Sequence, residues 1–124
     1  MKLINNLILA IVATILSFII IPLALLYALF YTWKSKNNIL EFIENVLLKY
    51  SIGLDQIGNA TCYIFLNNVI IKDNTIHSFG NIDETISSVI GKNKLKNNLT
   101  IFGIILDEIL NITLGKNHSI NSIE

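Results

Sequence analysis

The chain has 124 residues, with nine basic and nine acidic side chains, and its formal net charge is zero. This length allows one domain but not two. Because no dense basic patch is present, specific nucleic-acid binding is not expected. Cys62 is the only cysteine and cannot form an internal disulfide, so the sequence implies no oxidising compartment. The frequent Asn and Ile residues are typical of AT-rich coding.

The N-terminal third is hydrophobic, and no residue from Leu7 to Trp33 carries a charge. That run exceeds the roughly 20 apolar residues needed to cross a bilayer core. It is also longer than the apolar stretch of about 7–15 residues found in secretory signal peptides. The rest of the chain is too small to enclose a helix that is apolar on all sides. The sequence therefore predicts that residues 1–36 form a single-pass transmembrane anchor in the lipid bilayer.

The flanks of the anchor bear on its orientation. Tyr27, Tyr31 and Trp33 gather at its C-terminal end, where aromatic rings suit the membrane–water interface. The lysines that follow slightly outnumber the charges before it, which favours a cytoplasmic C-terminal domain. Pro22 predicts a kinked or tilted helix.

Hydrophobic periodicity predicts a small helical domain over residues 37–115. The expected fold class is all-α, with one transmembrane helix followed by three to four amphipathic helices and one irregular loop or short hairpin. The predicted segments are helices at 39–50 and 55–68, a loop or hairpin at 69–81, helices at 82–90 and 99–114, and a polar tail at 116–124. The segment 51–53 either breaks or bends the chain between the first two helices. Gly91 and Gly115 are expected to end the last two helices.

The apolar stripes of these helices define a predicted core. The last helix is expected to pack against Phe42, Val46 and the second helix. The residues predicted to face inward are Leu54, Ile57, Thr61, Ile64 and Phe65 in the second helix, and Leu99, Phe102, Ile105, Leu106, Ile109 and Leu110 in the last helix.

Asp55, Asn59 and Cys62 share one face of the second predicted helix. Such a polar strip can line a binding site, but a solvated helix face explains it more simply, and the sequence favours that interpretation. Cys62 as a nucleophile is less favoured than Cys62 as a buried side chain.

Asp83 and Glu84 are the candidates for acid–base chemistry or metal binding. A capping box competes with that hypothesis. Asn81 has the position of an N-cap residue, and Glu84 follows three residues later, so each side chain can accept a hydrogen bond from the backbone N–H of the other at the start of a helix. On spacing alone we favour capping. His118 lies just beyond the last helix, and a single histidine rarely marks a metal site. No metal motif such as CxxC or HExxH occurs, no motif calls for a cofactor, and the sequence leaves metal binding open.

Three stretches together resemble a pattern found in a family of small proteins of tailed phages and prophages. They are Asp55-Gln56 with Asn59, the stretch Gly80–Ser87 that contains Asp83-Glu84-Thr85, and Asn117-His118. The resemblance covers about residues 54–120. Ile82 stands where many members have proline, and Val89-Ile90 where many have basic residues. The resemblance implies a phage or prophage origin and a convergence of Asp55, Asp83, Glu84 and His118, but it supplies no reaction.

These observations favour a membrane-anchored accessory protein of phage or prophage type, acting at the membrane or in the virion through contacts with a protein partner or a second copy of itself. The alternative is a membrane-tethered hydrolase, using a metal or acid–base chemistry, with Asp55, Asp83, Glu84 and His118 as catalytic residues. The sequence does not decide whether the chain is an enzyme.

Overall fold

The computed structural model describes residues 1–124, and it confirms the predicted all-α class with an apolar N-terminal helix. Six helices follow one another, and the only β-type pairing is an isolated antiparallel bridge between Ile71 and Leu99. The helices are α1 (Lys2–Lys34), α2 (Ile39–Thr61), α3 (Tyr63–Val69), α4 (Ile86–Leu95), α5 (Ile101–Leu114) and α6 (His118–Asn121). The chain divides into two compact units, Met1–Leu47 and Leu48–Glu124.

The first unit is dominated by α1, which continues through Pro22 as one 33-residue helix. Its apolar side chains are exposed along its length, and it is long and apolar enough to cross a membrane. The hydroxyls of Thr14 and Ser17 donate to the carbonyls of Ala10 and Ala13, one turn earlier. These bonds satisfy the polar side chains inside the helix, which a lipid environment requires.

Helix α2 runs through the segment 51–53, so the first two predicted helices are one. The break occurs instead at Cys62, after which α3 continues for seven residues. Backbone bonds from Cys62 N to Gly58 O and from Leu66 N to Cys62 O keep the two helices nearly continuous. A glycine does not end a helix unless the chain must turn there, and nothing forces a turn at Gly53.

The second unit is organised around α4, which packs against α5 and α6. Its small hydrophobic core consists of Leu66, Ile70, Ile71, Phe79, Val89, Ile90 and Leu99. These residues come from α3, the loop that follows it, α4 and the segment before α5. The loop spans residues 70–85 and forms an irregular turn structure rather than a hairpin.

The boundaries predicted for α4 are wrong at both ends. The N-cap is Thr85, whose hydroxyl accepts from Ser88 N at 3.1 Å, and the helix continues past Gly91 to Leu95. Asn81 instead accepts from Asp83 N within a turn. Gly91 lies inside the helix because a Cβ there would collide with the backbone carbonyl of Ser119 in α6. Gly91 thus permits a close helix contact.

The inward face predicted for α5 is only partly correct. Leu99 is buried and Leu110 packs against the core, but three other predicted positions face outward. Phe102 is 64% exposed, and Ile105 and Ile109 are about half exposed, whereas Gly103 and Asp107 are buried. Leu106 packs partly against the core as expected, and Gly115 ends the helix. Gly103 faces inward because its backbone approaches the carbonyl of Ile70 too closely for any side chain.

The segment predicted as a polar tail contains helix α6, which packs on α4 and buries Ser119 completely. The inward face predicted for the second helix is wrong, because Asn59 is fully buried while all the residues predicted to face inward are exposed: Leu54, Ile57, Thr61, Ile64 and Phe65.

Candidate functional site

Glu84 is a buried carboxylate at the centre of a polar cluster with His77, Ser88 and Lys92. It lies in the turn before α4, and Ser88 and Lys92 follow at intervals of four residues, which places them on one side of that helix. Nε2 of His77 lies 3.1 Å from each carboxylate oxygen. Oε1 also accepts from Ser88 Oγ at 3.1 Å and from Lys92 Nζ.

The electrostatics of this cluster favour the ionised carboxylate. Burial raises the pKa of Glu84, but hydrogen bonds from Lys92 and His77, with the charges of those side chains, lower it below its ordinary value. A general acid or base works best when its pKa lies near the working pH. The cluster moves the pKa of Glu84 away from neutrality, which suits an anchoring carboxylate better than a proton-transfer group.

Asp55 reaches from α2 to the first turn of α4. Its Oδ1 accepts from Ile86 N at 3.1 Å, and its Oδ2 accepts from Ser87 Oγ at 3.2 Å. The first amides of a helix have no partner within it, and an anionic side chain near them is stabilising. Asp55 in α2 therefore caps the N-terminus of α4, in addition to the N-cap residue Thr85.

The other two predicted site residues lie elsewhere. The side chain of Asp83 is exposed on the turn before α4. His118 begins α6, and its backbone N donates to Asn111 Oδ1 at 3.1 Å. Its half-buried ring lies 3.4 Å from Ser122 Oγ.

Two of the four residues, Asp55 and His118, line one cavity of about 740 Å³ in the second unit. Glu84 and Asp83 are not among its lining residues. Its walls are otherwise mostly apolar, and include Leu48, Ile52, Leu66, Ile86, Leu106, Leu110 and Leu114. No group of three or more His, Cys, Asp or Glu side chains is placed to hold a metal ion.

Four asparagines that the sequence analysis attributed to coding bias hold the loop 70–85 in place. Asn59 is fully buried, accepts from Gly80 N at 2.9 Å, and donates to the carbonyls of Asn81 and Glu84. Asn67 exchanges two hydrogen bonds with the backbone of Phe79.

The remaining two asparagines act on the first half of the same loop. Asn93 donates to the carbonyl of His77 at 2.8 Å, and Asn98 exchanges two bonds with the backbone of Asp73. Asn98 also donates to Asn93 Oδ1, which links the two side chains. Asn98 is the first residue of a glycosylation motif, Asn-Leu-Thr. Because its side chain is buried and its amide nitrogen already donates two hydrogen bonds, it is not accessible for glycosylation in the folded chain.

Sequence reasoning placed Asn59 on a solvated face, and the structure corrects that interpretation. The spacing grouped Asn59 correctly with Asp55, since Asn59 contacts the segment before α4 and Asp55 contacts its first turn, but Cys62 is exposed. No local signal marks these asparagines, because their partners are backbone groups up to 25 residues away in the chain.

Comparisons of this chain with protein-family models, curated proteins and solved structures find no match. The resemblance to small tailed-phage proteins therefore stays a prediction.

Proposed function

We propose that this chain is a single-pass, membrane-anchored accessory protein of phage or prophage type, whose second unit acts through contacts with another protein chain. The phage or prophage origin rests on the sequence pattern alone. The anchoring and the protein contacts rest on different features of the molecule.

Helix α1 supports the membrane anchor. At 1.5 Å per residue its 33 residues extend about 50 Å, more than the roughly 30 Å of a hydrocarbon core. No residue between Lys2 and Lys34 is charged, and bulky side chains such as Phe18 project outward without covering. The 27–33 segment adds the aromatic rings that favour the membrane interface.

The observation that carries the protein contacts is an apolar surface on the second unit. We call it the α2–α3 patch: Leu54, Ile57, Ile64 and Phe65, each more than half exposed. The residues recur at helical spacing along the nearly continuous α2 and α3. Exposed apolar patches on small domains commonly mark interaction sites, and exposed Tyr63 beside Phe65 adds a second aromatic ring, a type enriched in protein interfaces.

The residues offered for catalysis mainly hold the fold together. Both oxygens of Glu84 and both oxygens of Asp55 are engaged by donors within the chain. This engagement favours the accessory role over the hydrolase.

One observation favours the hydrolase as a second candidate, because Asp55 and His118 line the same cavity. If the pair binds a divalent cation there, Zn²⁺ or Mn²⁺ should raise the melting temperature of the full chain. Asp55→Asn and His118→Ala should each remove that increase, whereas Asp83→Asn should not. An increase that survives both cavity substitutions counts against this site.

Cys62 allows a direct test of the protein contacts, because it is exposed, is the only cysteine and adjoins the α2–α3 patch. A thiol-linked photo-crosslinker on Cys62 of the full chain, in native membranes, should give an adduct of discrete mass. Phe65→Glu should abolish the adduct, because a charge in the patch opposes burial.

Leu95→Glu is the matched control, since Leu95 is as exposed as Phe65 but lies at the end of α4. An adduct of twice the chain mass identifies a second copy as the partner, and any other discrete mass identifies a different protein. The absence of an adduct, or an adduct insensitive to Phe65→Glu, overturns the proposal.

A further inference from the structure

Helix α5 carries large apolar side chains on its outer side as well as on the side that packs against the core. Asp107 faces the interior, where its Oδ2 lies 2.6 Å from Lys94 Nζ. The outer face of α5, formed by Ile101, Phe102, Ile105, Ile109 and Ile112, is exposed, and Ile112 reaches 81%. A small monomeric domain in water rarely leaves so continuous a row of large apolar side chains uncovered.

We infer that the outer face of α5 lies flat in the membrane interface, so that the lipid surface covers it. This inference rests on the anchoring by α1 in the proposed function. It assigns a second, independent membrane contact to the chain, in the second unit.

Composition favours lipid over a protein partner for this face. Four of its five residues are isoleucine and only one is aromatic, whereas protein interfaces are enriched in aromatic residues, methionine and arginine. Glu108 is the single charged residue on this side of α5, and Thr113 is its polar neighbour. Acyl chains require neither shape complementarity nor hydrogen bonds from the protein surface. The outer face of α5 has almost no side chains that could form hydrogen bonds.

Charge at the two ends of α5 is complementary to lipid headgroups. Lys72 and Lys96 are exposed before the helix, where Lys72 Nζ donates to the carbonyl of Asn97, and Lys116 is exposed after it. Helices that lie in the interface bury an apolar face while flanking lysines reach the phosphates.

The tether keeps this face within reach of the bilayer. Residues 35–38 and the first turns of α2, residues 39–47, join the end of α1 to the second unit, so this connection extends at most about 30 Å. A short tether gives the second unit a high effective concentration at the surface, so even a modest apolar contact is populated.

Site-directed spin labelling of the full chain tests the inference. In a Cys62→Ser background, single cysteines at 105, 109 and 112 are labelled, and the chain is placed one per nanodisc in phosphatidylcholine and phosphatidylglycerol. The ratio of collision with oxygen to collision with a water-soluble nickel complex should be several-fold higher at these positions than at Asn74, an exposed loop residue.

A label at Ile20 in α1 separates failure of the inference from failure of the anchor. A lipid-exposed label at 20 with water-exposed labels at 105, 109 and 112 overturns the inference and leaves the anchor intact. A water-exposed label at 20 overturns the anchor itself. Labels at 105 and 109 shielded from both reagents show a protein occupant and also overturn the inference.

Discussion

Glu84 shows how burial and charge decide a residue's role. A capping role for Glu84 would make Glu84→Gln nearly silent, because glutamine also completes a capping box. In the structure, however, the carboxylate contacts three donor groups, those of His77, Ser88 and Lys92. The amide keeps the shape and loses the ionic hydrogen bonds to Lys92 and His77. We expect Glu84→Gln to lower the free energy of unfolding by about 1–3 kcal/mol.

Chemical unfolding of the full chain in detergent micelles, followed by circular dichroism, measures this difference. Asp83→Asn is the matched control, since Asp83 is adjacent, exposed and should change the stability by less than about 0.5 kcal/mol. Equal effects of the two substitutions would show that the cluster contributes nothing specific.

The lowered pKa of Glu84 also predicts a pH dependence of stability. Folding favours the ionised form, so its contribution is fully present above the unfolded pKa, about 4.3 for glutamate. The contribution is lost as the pH falls through the lower pKa of the folded state. Asp73, whose pKa is lowered by hydrogen bonds from Thr75, titrates in the same acidic range but is fully exposed.

The difference between wild type and Glu84→Gln isolates the part that belongs to Glu84. In unfolding free energies measured from pH 7 to pH 3, the gap between the two proteins should be constant at the neutral end and should narrow toward the acidic end. If the gap between them stays constant over this range, the carboxylate charge is not what stabilises the cluster.

Asn59 shows what the sequence could not reveal at the residue scale. Its spacing from Asp55 was visible, but its three backbone partners lie in the loop 70–85, across a turn that no local pattern specifies. Asn59→Ala leaves the buried carbonyl of Glu84 and the amide of Gly80 without this partner, so we expect a loss of about 2 kcal/mol in unfolding free energy.

Asn68→Ala provides the comparison for Asn59→Ala, because Asn68 is exposed on α3. Hydrogen exchange of the Gly80 amide should rise many-fold in Asn59→Ala and stay unchanged in Asn68→Ala. Unaltered exchange in both proteins would mean that the asparagine does not hold the loop.

At the scale of elements, helices could be predicted better than their ends. Periodicity located α2, α4 and α5, yet it misplaced the start of α4, because Asn81 and Thr85 are both good N-cap residues. The choice of Thr85 depends on contacts outside the first turn, since Asp55 accepts from the amide of Ile86 and Glu84 accepts from Lys92. A local pattern contains neither contact.

The face of α5 was partly misassigned for a related reason. The helix is apolar around most of its circumference, so an apolar stripe alone does not identify its inner side. The inner side is set by Gly103, which permits close approach, and by Asp107, which pairs with Lys94. In the sequence, Gly103 is typical of a position that breaks a helix, and Asp107 is typical of an exposed position.

Two glycines inside helices should respond to alanine in opposite directions. A Cβ at Gly91 in α4 meets the backbone of Ser119, whereas a Cβ at Gly53 in α2 meets nothing. We expect Gly91→Ala to destabilise the chain by about 1–3 kcal/mol through overpacking. Gly53→Ala should stabilise it by about 0.5–1 kcal/mol, because alanine favours the helix.

Chemical unfolding of the two variants measures both signs under one set of conditions. Hydrogen exchange across residues 118–121 should increase only in Gly91→Ala, since α6 must move to admit the methyl group. A stabilised Gly91→Ala would contradict the close packing of α6 on α4.

At the scale of the whole molecule, composition was sufficient to predict the architecture. An uncharged run followed by amphipathic segments predicted an apolar helix and a helical domain, and both are present. The distribution of residues within the second unit was not predictable, because its interior holds Asn59, Asn93 and Asp107 while isoleucines face outward. Isoleucines that face outward on α5 are what the inferred contact with lipid requires.

The membrane anchor gives the last prediction. A lysine at the centre of a membrane-spanning helix costs roughly 2.5–3.5 kcal/mol on insertion scales, so two should prevent stable insertion. We expect the full chain to resist alkaline carbonate extraction and its intact mass to include Met1. Leu16→Lys with Ile20→Lys should release it into the supernatant. Ile76→Lys with Leu95→Lys, at exposed sites of the second unit, should leave it in the membrane. A wild-type chain that is extracted, or whose mass shows removal of α1, would mean that α1 is not a retained anchor.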